Sequence, residues 1–304
     1  MICSAKAPAC AGGAGRAKKR NNIHNAIAVN AVLLSCPLHR AISQPTSQPP
    51  NQIPGAVPEK LHKTRGLVLR TVKYGETSLI VTIFTELFGL QSYLVNGVRT
   101  SGRKGSGRAN LFQPGAILDL VVYHNELVNL QRIREFRWGY LYERVLTDIT
   151  RNAVALYLVE LLTRCLRQPE ANPDLYHFAE DALLHLDRSP DAVAANFPLF
   201  FALQLAGFFG FRISDGYSPR TPFLDLLEGQ YVAERPHYPH YLEENLAQVT
   251  AELLKVMQPD ELAQIRLHHG QRRALLQAYE TYYALHLQDF GSLKSWPVLS
   301  VILQ

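Results

Sequence analysis

Residues 96–115 of this 304-residue chain hold the side chains with the clearest chemistry. The segment reads NGVRTSGRKGSGRANLFQPG and contains no carboxylate. Its four cations are Arg99, Arg103, Lys104 and Arg108. Clustered cations repel one another unless an anion neutralises them, and the interspersed glycines let backbone amides approach a ligand closely. The pattern therefore predicts a loop that binds phosphate groups, as in nucleic acid, with little preference for base sequence.

Motifs for catalysis are missing from the sequence. Gly97 and Gly102 have the spacing of a nucleotide-binding P-loop, but Arg103 and Lys104 follow where that motif needs Lys and then Ser or Thr. The hydroxyl group that would hold magnesium is absent, so ATP hydrolysis is not expected. The sequence also lacks G-x-S-x-G, H-E-x-x-H and C-x-x-C, and we expect a protein without enzymatic activity, cofactor or bound metal.

Short β-rich runs on both sides of the loop predict the scaffold that positions it. Separated by turn residues, they cover 64–72, 77–85, 89–96, 116–123 and 127–136. Five strands with one long loop fit a closed barrel of the OB type, which binds oligonucleotides on one face and in its loops. An SH3-like barrel or a plain β-meander would fit the same spacing. We assign this domain to residues 61–138.

Further cations lie on the predicted strands. Because side chains alternate, Arg132 and Arg134 should share one face of the last strand beside two apolar neighbours. Those neighbours are Leu130 and Phe136. The remaining candidates for contact with DNA lie in or near the first strand: Arg65, Arg70 and Lys73. Candidate platforms for stacking unpaired bases, each of which could instead be a core or rim aromatic, are Tyr74, Phe88, Tyr93 and Phe112.

The sequence from Gly139 to the end has a helical period and predicts a bundle of five helices, which makes the protein α+β overall. The predicted buried stripe of the first helix comprises Leu141, Val145, Leu146, Ile149, Ala153, Leu156 and Leu162. Four arginines on the same helix are candidates for binding an acidic partner: Arg144, Arg151, Arg164 and Arg167. A solvated helix face would show the same pattern.

Proline marks the other predicted helix boundaries. Asn172 before Pro173 predicts an N-cap and a first helical turn, and the sequence Ser-Pro-Asp around Pro190 repeats the device. Pro198 lies within a long apolar run and should kink or restart that helix. The segment 212–241 is rich in Pro, Gly and Tyr and should form an irregular insertion.

Residues 1–60 differ from the rest of the chain in composition and charge. They are rich in Ala, Gly, Pro, Ser, Asn and Gln, so we expect a disordered or dispensable leader. The alternative is an exported lipoprotein whose signal ends at Cys36. The net charge is +6 over 1–60, +6 over 61–138 and −7 over 139–304, which places the basic character in the front of the chain.

The cysteines and the hydropathy bear on location. Three of the four cysteines lie in the leader, which supports no disulfide framework and favours a reducing cytoplasm. No run in the sequence approaches the roughly 18 consecutive apolar residues of a membrane span. We therefore expect a cytoplasmic protein without a membrane partner.

Several stretches together resemble the RecO family of bacterial DNA repair proteins. HKTRGLVLRTVKYGETSLIVTIFTELFGLQSYLVNGVRTSGRKGSGRANLFQPG, which begins at His62, is similar to the amino-terminal domain of that family, with its G-E-T turn and basic loop. FFALQLAGFFGF resembles the family's helix ending in L-G-F, and YYALHLQDFGSLKSWPVL resembles its closing pattern. The resemblance covers about 61–304, with both ends in order.

This resemblance implies an OB barrel, a helical bundle and a role as a recombination mediator rather than an enzyme. RecO proteins bind single- and double-stranded DNA and anneal complementary strands. They act with RecR and with the C-terminal tail of the single-stranded DNA-binding protein (SSB), and thereby help to load RecA. The family likeness thus implies a nucleoid-associated protein. An RNA-binding OB module with a helical interaction domain would carry the same basic loop and stays open as the alternative.

One segment departs from the family pattern. Many RecO proteins carry a four-cysteine zinc module after the L-G-F helix, whereas 212–241 contains no cysteine. The chain therefore resembles zinc-less members of the family, and we expect a metal-free module. The residues expected to hold it together by packing are Tyr217, Phe223, Leu227 and Tyr231.

Overall fold

The computed structural model describes residues 60–99 and 108–303. The predictions for the leader, apart from Lys60, and for Arg103 and Lys104 therefore lie outside the described residues.

Five strands close into a barrel at the front of the described chain. They are β1 (Leu61–Tyr74), β2 (Ser78–Thr85), β3 (Gly89–Val95), β4 (Ile117–Tyr123) and β5 (Leu130–Trp138). Their order around the barrel is β1-β2-β3-β5-β4, with β3 and β5 parallel and the other pairs antiparallel. The predicted five-stranded barrel of the OB type is confirmed.

Alternating apolar residues of the five strands fill the barrel. Val68, Val81 and Tyr93 are fully buried within it. Between β3 and β4 a short 3-10 helix, Ala109–Phe112, adds the buried ring of Phe112 to the same core. The interior is therefore packed with side chains, and a ligand has to bind on the outside of the barrel or at its ends.

Six α-helices follow in the described part of the chain, one more than predicted. They are α1 (Ile149–Cys165), α2 (Pro173–Arg188), α3 (Asp191–Phe208), α4 (Glu244–Leu254), α5 (His269–His286) and α6 (Trp296–Ile302). A second 3-10 helix, Pro259–Gln264, lies between α4 and α5. The additional helix is α6, which is short and begins at the Trp-Pro pair.

The first helix differs from its prediction in start and in buried face. It begins at Ile149 because Asp148 caps it, accepting hydrogen bonds from the N–H groups of Thr150 and Arg151. The predicted stripe is wrong at four positions that are exposed: Leu141, Leu146, Ile149 and Leu156. The helix is buried around most of its circumference, and a periodic stripe cannot mark the inside of such a helix.

The proline predictions have mixed outcomes. The Asn172 side chain accepts a hydrogen bond from the Leu175 N–H at 3.0 Å, which confirms the predicted N-cap of α2. Pro198 does not restart the helix, because α3 is continuous through it. Phe197 and Leu199 on either side are fully buried, so packing offsets the hydrogen bond that proline removes. Among the described helices, α3 is long and apolar enough to cross a membrane, and 67% of it is buried within the protein, as in a core helix.

The segment 212–241 contains a small sheet rather than irregular chain alone. Its strands are β6 (Phe223–Asp225), β7 (Gln230–Val232) and β8 (Tyr241–Leu242), in the order β7-β6-β8. Tyr231 is buried and packs edge-on against Tyr217 with ring centroids 5.9 Å apart. Leu227 is 43% exposed, so its predicted part in the packing is wrong.

A buried carboxylate occupies the centre of this small sheet. Asp225 accepts hydrogen bonds from the Leu227 N–H at 2.8 Å and from the Tyr238 hydroxyl at 2.5 Å. The turn between β6 and β7 is thus organised by a side chain of the sheet itself. Within residues 60–99 and 108–303, no group of three or more His, Cys, Asp or Glu side chains could hold a metal ion.

The barrel and the helices share one hydrophobic core. Outward-facing residues of three strands, Leu67 and Leu69 on β1, Phe84 on β2 and Ile117 on β4, are buried against the helical part. The ring of Phe84 lies 5.8 Å from that of Tyr176 on α2. One side of the barrel is therefore covered, and a binding surface has to lie on another side.

Candidate nucleic-acid interface

The uncovered side of the barrel is formed by the outer face of β1, β2, β3 and β5. Strand pairing aligns Arg70, Thr82, Ser92 and Leu130 in one row across these four strands. A second row aligns Val72, Ile80, Leu94 and Arg132. Tyr74 lies beyond the second row at the end of β1 and is 54% exposed. We call these nine residues the open face.

Two cations flank an apolar strip on the open face. Arg70 and Arg132 are exposed on β1 and β5, which lie three strands apart along this face of the barrel. The side chains between them are mostly apolar or small. A cationic edge suits phosphate, whereas a partly exposed apolar strip ending in a tyrosine suits the flat faces of unpaired bases.

A β-bulge sets the position of Arg70. The register of β1 against β2 shifts between Val68 and Arg70, which makes Leu69 the additional residue. Leu69 therefore turns into the core shared with the helices while Arg70 turns to solvent. Sequence reasoning missed Val72, Ile80 and Leu94 as site residues, although the alternation of their strands could have indicated an outward apolar strip.

The basic loop is attached to the barrel at both described ends. The Arg99 backbone N–H donates to the Thr77 carbonyl and its guanidinium to the Gly75 carbonyl, each at 3.1 Å. At the other end, the Arg108 guanidinium lies over the Phe136 ring, 4.7 Å from its centroid. The loop thus begins beside the β1–β2 turn and ends beside β5. Lys73 is the second-to-last residue of β1. It is exposed beside the β1–β2 turn, at the same end of the barrel.

Arg65 lies on the covered side of the barrel. Its guanidinium donates to Glu180 on α2 at 2.8 Å and lies 3.6 Å from Asp119 on β4. Burial raises the pKa of Glu180, and the charge of Arg65 opposes that shift. Arg65 therefore serves the contact between barrel and helices in this structure. Arg137, which sequence reasoning missed, pairs with the same Asp119 at 2.9 Å.

A second bulge separates two arginines of β5 from their predicted neighbour. Val121 pairs with Glu135 and Val122 with Ile133, so Arg134 is the additional residue. Arg132 and Arg134 are both exposed, but the alternation changes phase beyond Arg134. Phe136 consequently packs inward against Phe112, with centroids 4.7 Å apart, and the prediction that it shares the arginine face is wrong. Arg134 itself lies 3.6 Å from the carboxylate of Glu135.

Of the four candidate stacking aromatics, Tyr74 is the one that is exposed. Tyr93 and Phe112 are fully buried in the barrel, and burial raises the pKa of the Tyr93 hydroxyl. Phe88 stacks on His124 at 3.9 Å near the end of the barrel opposite the basic loop. The core interpretation is therefore correct for Tyr93 and Phe112, and Tyr74 remains as the platform beside the open face.

The four arginines of the first helical segment make internal contacts. Arg151 is 1% exposed and pairs with Asp148 at 2.6 Å and Asp191 at 2.7 Å. Hydrogen bonds from Arg151 and Arg144 hold the pKa of Asp191 below its ordinary value. Further contacts join Arg144 to the Ser189 carbonyl, Arg164 to the Ser292 carbonyl and Arg167 to Asp289. Arg151 cannot reach a partner without breaking buried ion pairs, so it does not fit the predicted role.

A further buried carboxylate, missed from the sequence, fixes the connection between barrel and helices. Asp187 on α2 accepts hydrogen bonds from the backbone N–H groups of Glu143, Arg144 and Val145 at 2.8–3.0 Å. It also accepts one from the Tyr140 hydroxyl at 3.0 Å. The chain from β5 to α1 is thus bound to α2, which fixes the barrel against the helices.

Comparison with known proteins connects this architecture to a family. Residues 60–140 match the family model described as "Recombination protein O N terminal", and residues 146–214 match "Recombination protein O C terminal". DNA repair protein RecO of Phocaeicola vulgatus is 32% identical over 239 residues, which cover 79% of this chain and 98% of that protein. The chain belongs to the RecO family of DNA repair proteins.

Other RecO proteins show similar agreement. Those of Bacteroides fragilis and Flavobacterium johnsoniae are 31% and 30% identical over 240 residues, again covering 79% of this chain and 98% of each relative. The resemblance seen in the sequence is thereby confirmed. Because these relatives are bacterial DNA repair proteins, membership of the RecO family implies that the protein is cytoplasmic.

Proposed function

We propose that this RecO-family protein is a recombination mediator without enzymatic activity, which binds single-stranded DNA on the open face and along the adjoining basic loop. The observation that carries the proposal is the apolar strip between Arg70 and Arg132, with Tyr74 at its end. Duplex DNA hides the faces of its bases, so this strip favours unpaired bases. The cations of the loop, which act on phosphate, suit single and double strands equally.

Annealing follows from the same arrangement. Two complementary strands repel each other through their phosphates, and cations that neutralise this charge let the strands approach. Base pairing then supplies the sequence specificity, so the protein itself needs no contacts that read base edges. DNA bound in this way would associate the protein with the nucleoid.

Membership of the RecO family supports three protein partners: RecR, the C-terminal tail of SSB and, indirectly, RecA. The arginines predicted to receive the SSB tail make internal contacts. We therefore propose that the tail binds elsewhere on the helical part. Annealing of complementary oligonucleotides coated with the cognate SSB, with and without this protein, tests the mediator role directly.

The open face is tested by the salt dependence of binding. The double variant R70A/R132A should lower the slope of log K against log salt for single-stranded DNA by about 1.4, because each lost phosphate contact contributes about 0.7. The control R137A/R220A removes two exposed arginines outside the open face and should leave the slope unchanged. Equal slopes for R70A/R132A and the wild type would contradict the proposed site. An RNA competitor of the same sequence separates DNA preference from the RNA-binding alternative.

A further inference from the structure

A second group of cations lies at the junction between the 3-10 helix Pro259–Gln264 and α5. The nine residues IRLHHGQRR, 265–273, contain three arginines, two histidines and no carboxylate. Arg266, His268, His269 and Arg273 are exposed, and Arg272 is half-buried. None of the three arginines forms an ion pair with a described side chain of residues 60–99 and 108–303, which do not include the side chain of Glu244. We call Arg266, Arg272 and Arg273, with His269, the basic corner.

A buried side chain holds the basic corner in place. Asn196 on α3 is 1% exposed and donates hydrogen bonds to the carbonyls of Leu262 at 3.2 Å and Ile265 at 2.7 Å. Its side-chain oxygen accepts a hydrogen bond from Arg272 Nε at 2.9 Å. The guanidinium of Arg272 is therefore oriented through a neutral group, while burial lowers the pKa of this side chain.

A basic side chain on α5 lies beside these arginines. His269 and Arg273 are four apart on α5 and so share one helix face. The carboxylates that come before the corner have other contacts, since Asp260 lies 3.1 Å from His185 and Glu261 accepts from the Met257 N–H. The arginines of α1 pair with carboxylates, whereas those of the corner pair with no described carboxylate side chain, a set that leaves out Glu244.

The surroundings favour a phosphate backbone over an acidic peptide with apolar side chains. A peptide of that kind needs an apolar pocket beside the cations. Leu262, Leu267 and Leu275, the leucines nearest the corner in sequence, are all buried. The exposed atoms of the corner are therefore cationic or polar, as in proteins that bind nucleic acid through its phosphates.

We propose that the basic corner is a second DNA-backbone site, located on the helical part and separate from the open face of the barrel. This inference rests on the function proposed above. One chain would then hold unpaired bases on the barrel and a second strand, or a duplex arm, on α5. Annealing brings two polyanions together, and the two sites would supply one position for each.

The test compares the full-length double variant R266A/R273A with R212A/R220A, which removes two exposed arginines elsewhere on the helical part. R266A/R273A should lower the salt slope for a short duplex by about 1.8, since each phosphate contact on B-DNA contributes about 0.9. It should also slow strand annealing, while a short single-stranded oligonucleotide that fills only the open face binds as to the wild type. R266K/R273K keeps the charges and should behave as the wild type.

The outcomes separate the two proposals. If R266A/R273A anneals strands and binds duplex like R212A/R220A, the basic corner is not a DNA site, and the open face can still stand. If the wild type binds no oligonucleotide at low salt, the proposed function itself fails. A labelled acidic peptide with an apolar carboxyl end serves as the third ligand. Loss of peptide binding in R266A/R273A, with duplex binding unchanged, would make the corner a peptide site and overturn the inference.

Discussion

The two sides of the barrel have similar residue types and opposite surroundings. On the covered side, Arg65 pairs with Glu180, and Leu67 and Phe84 are buried against the helices. On the open face, Arg70 and Val72 come from the same strand and face solvent. Charge and hydrophobicity alone therefore do not mark the binding side. The neighbours of each side chain mark it, because a cation already paired with a buried carboxylate is not available to phosphate.

The helical part repeats this contrast. The arginines around α1 are bonded within the fold, and those at the start of α5 pair with no described carboxylate side chain, a set without Glu244. Substitutions on the paired sides should change stability and leave DNA binding largely intact. Substitutions on the open sides should do the reverse, and either kind of exception would break the comparison.

The largest expected effect is at Asp187 on α2, which binds the connection between the barrel and the helices. Asp187→Ala leaves three backbone N–H groups without their acceptor in a buried place, so the free energy of unfolding should fall by roughly 3–5 kcal/mol. Urea unfolding measures the loss. Asp181→Ala, on an exposed position of the same helix, is the control and should change stability by less than about 0.5 kcal/mol. A small effect of Asp187→Ala would show that the connection is held by other contacts.

Lowering the pH should remove part of the contribution that Asp187 makes to the free energy of unfolding. Burial alone would raise the pKa of Asp187, but the hydrogen bonds from Glu143, Val145 and Arg144 hold it below the ordinary value of 3.8. A lowered pKa in the folded state gives stability that is present above that value and is lost as pH falls through the lowered pKa. Unfolding at pH 5 and pH 3 should therefore differ less for Asp187→Asn than for the wild type. Glu180 acts in the opposite sense, because its pKa is raised.

On the open face, Tyr74 should matter for binding and not for folding. Tyr74→Ala should weaken single-stranded DNA binding by about 1–3 kcal/mol if one base stacks on the ring. Because the side chain is 54% exposed, the melting temperature should hardly move. Tyr74→Phe keeps the ring and should bind like the wild type. Fluorescence anisotropy with a poly-dT oligonucleotide gives the affinities, and equal values for Tyr74→Ala and Tyr74→Phe would remove Tyr74 from the site.

The smallest effect is expected for the ion pair between Arg65 and Glu180. A double-mutant cycle with Arg65→Met and Glu180→Gln should give a coupling energy of roughly 0.5–1 kcal/mol, because Arg65 is partly exposed and solvent screens the pair. The salt slope of DNA binding should stay unchanged in Arg65→Met. A lowered slope would return Arg65 to the DNA-binding residues predicted from the sequence.

The sequence predicted the elements well and their long-range contacts poorly. Strand alternation and turn residues were enough for the five strands, and Asn172 with Pro173 was enough for the start of α2. The bulges at Leu69 and Arg134 could not be predicted, because a bulge depends on the partner strand. Each bulge changes which face the following residues occupy, and so the open face differs from the predicted set.

Ionic partners were missed for a related reason. Arg151 and Asp191 are 40 residues apart in sequence, and Asp187 bonds a segment more than 40 residues before it. Local spacing in the sequence does not indicate such pairs. An arginine that is buried in an ion pair therefore cannot be distinguished in sequence from one that contacts a ligand. The arginines of 265–273 were overlooked because their pattern is short and contains one glycine, whereas the loop contains several.

The apolar side chains that the barrel buries against the helices should prevent the barrel from behaving well as an isolated domain. A fragment ending after Trp138 would expose Leu67, Leu69, Phe84 and Ile117 to solvent. A continuous apolar surface of that kind promotes aggregation. The barrel therefore cannot simply be fused to another protein. A fusion would need to include the helices as well, or carry hydrophilic substitutions at those four positions.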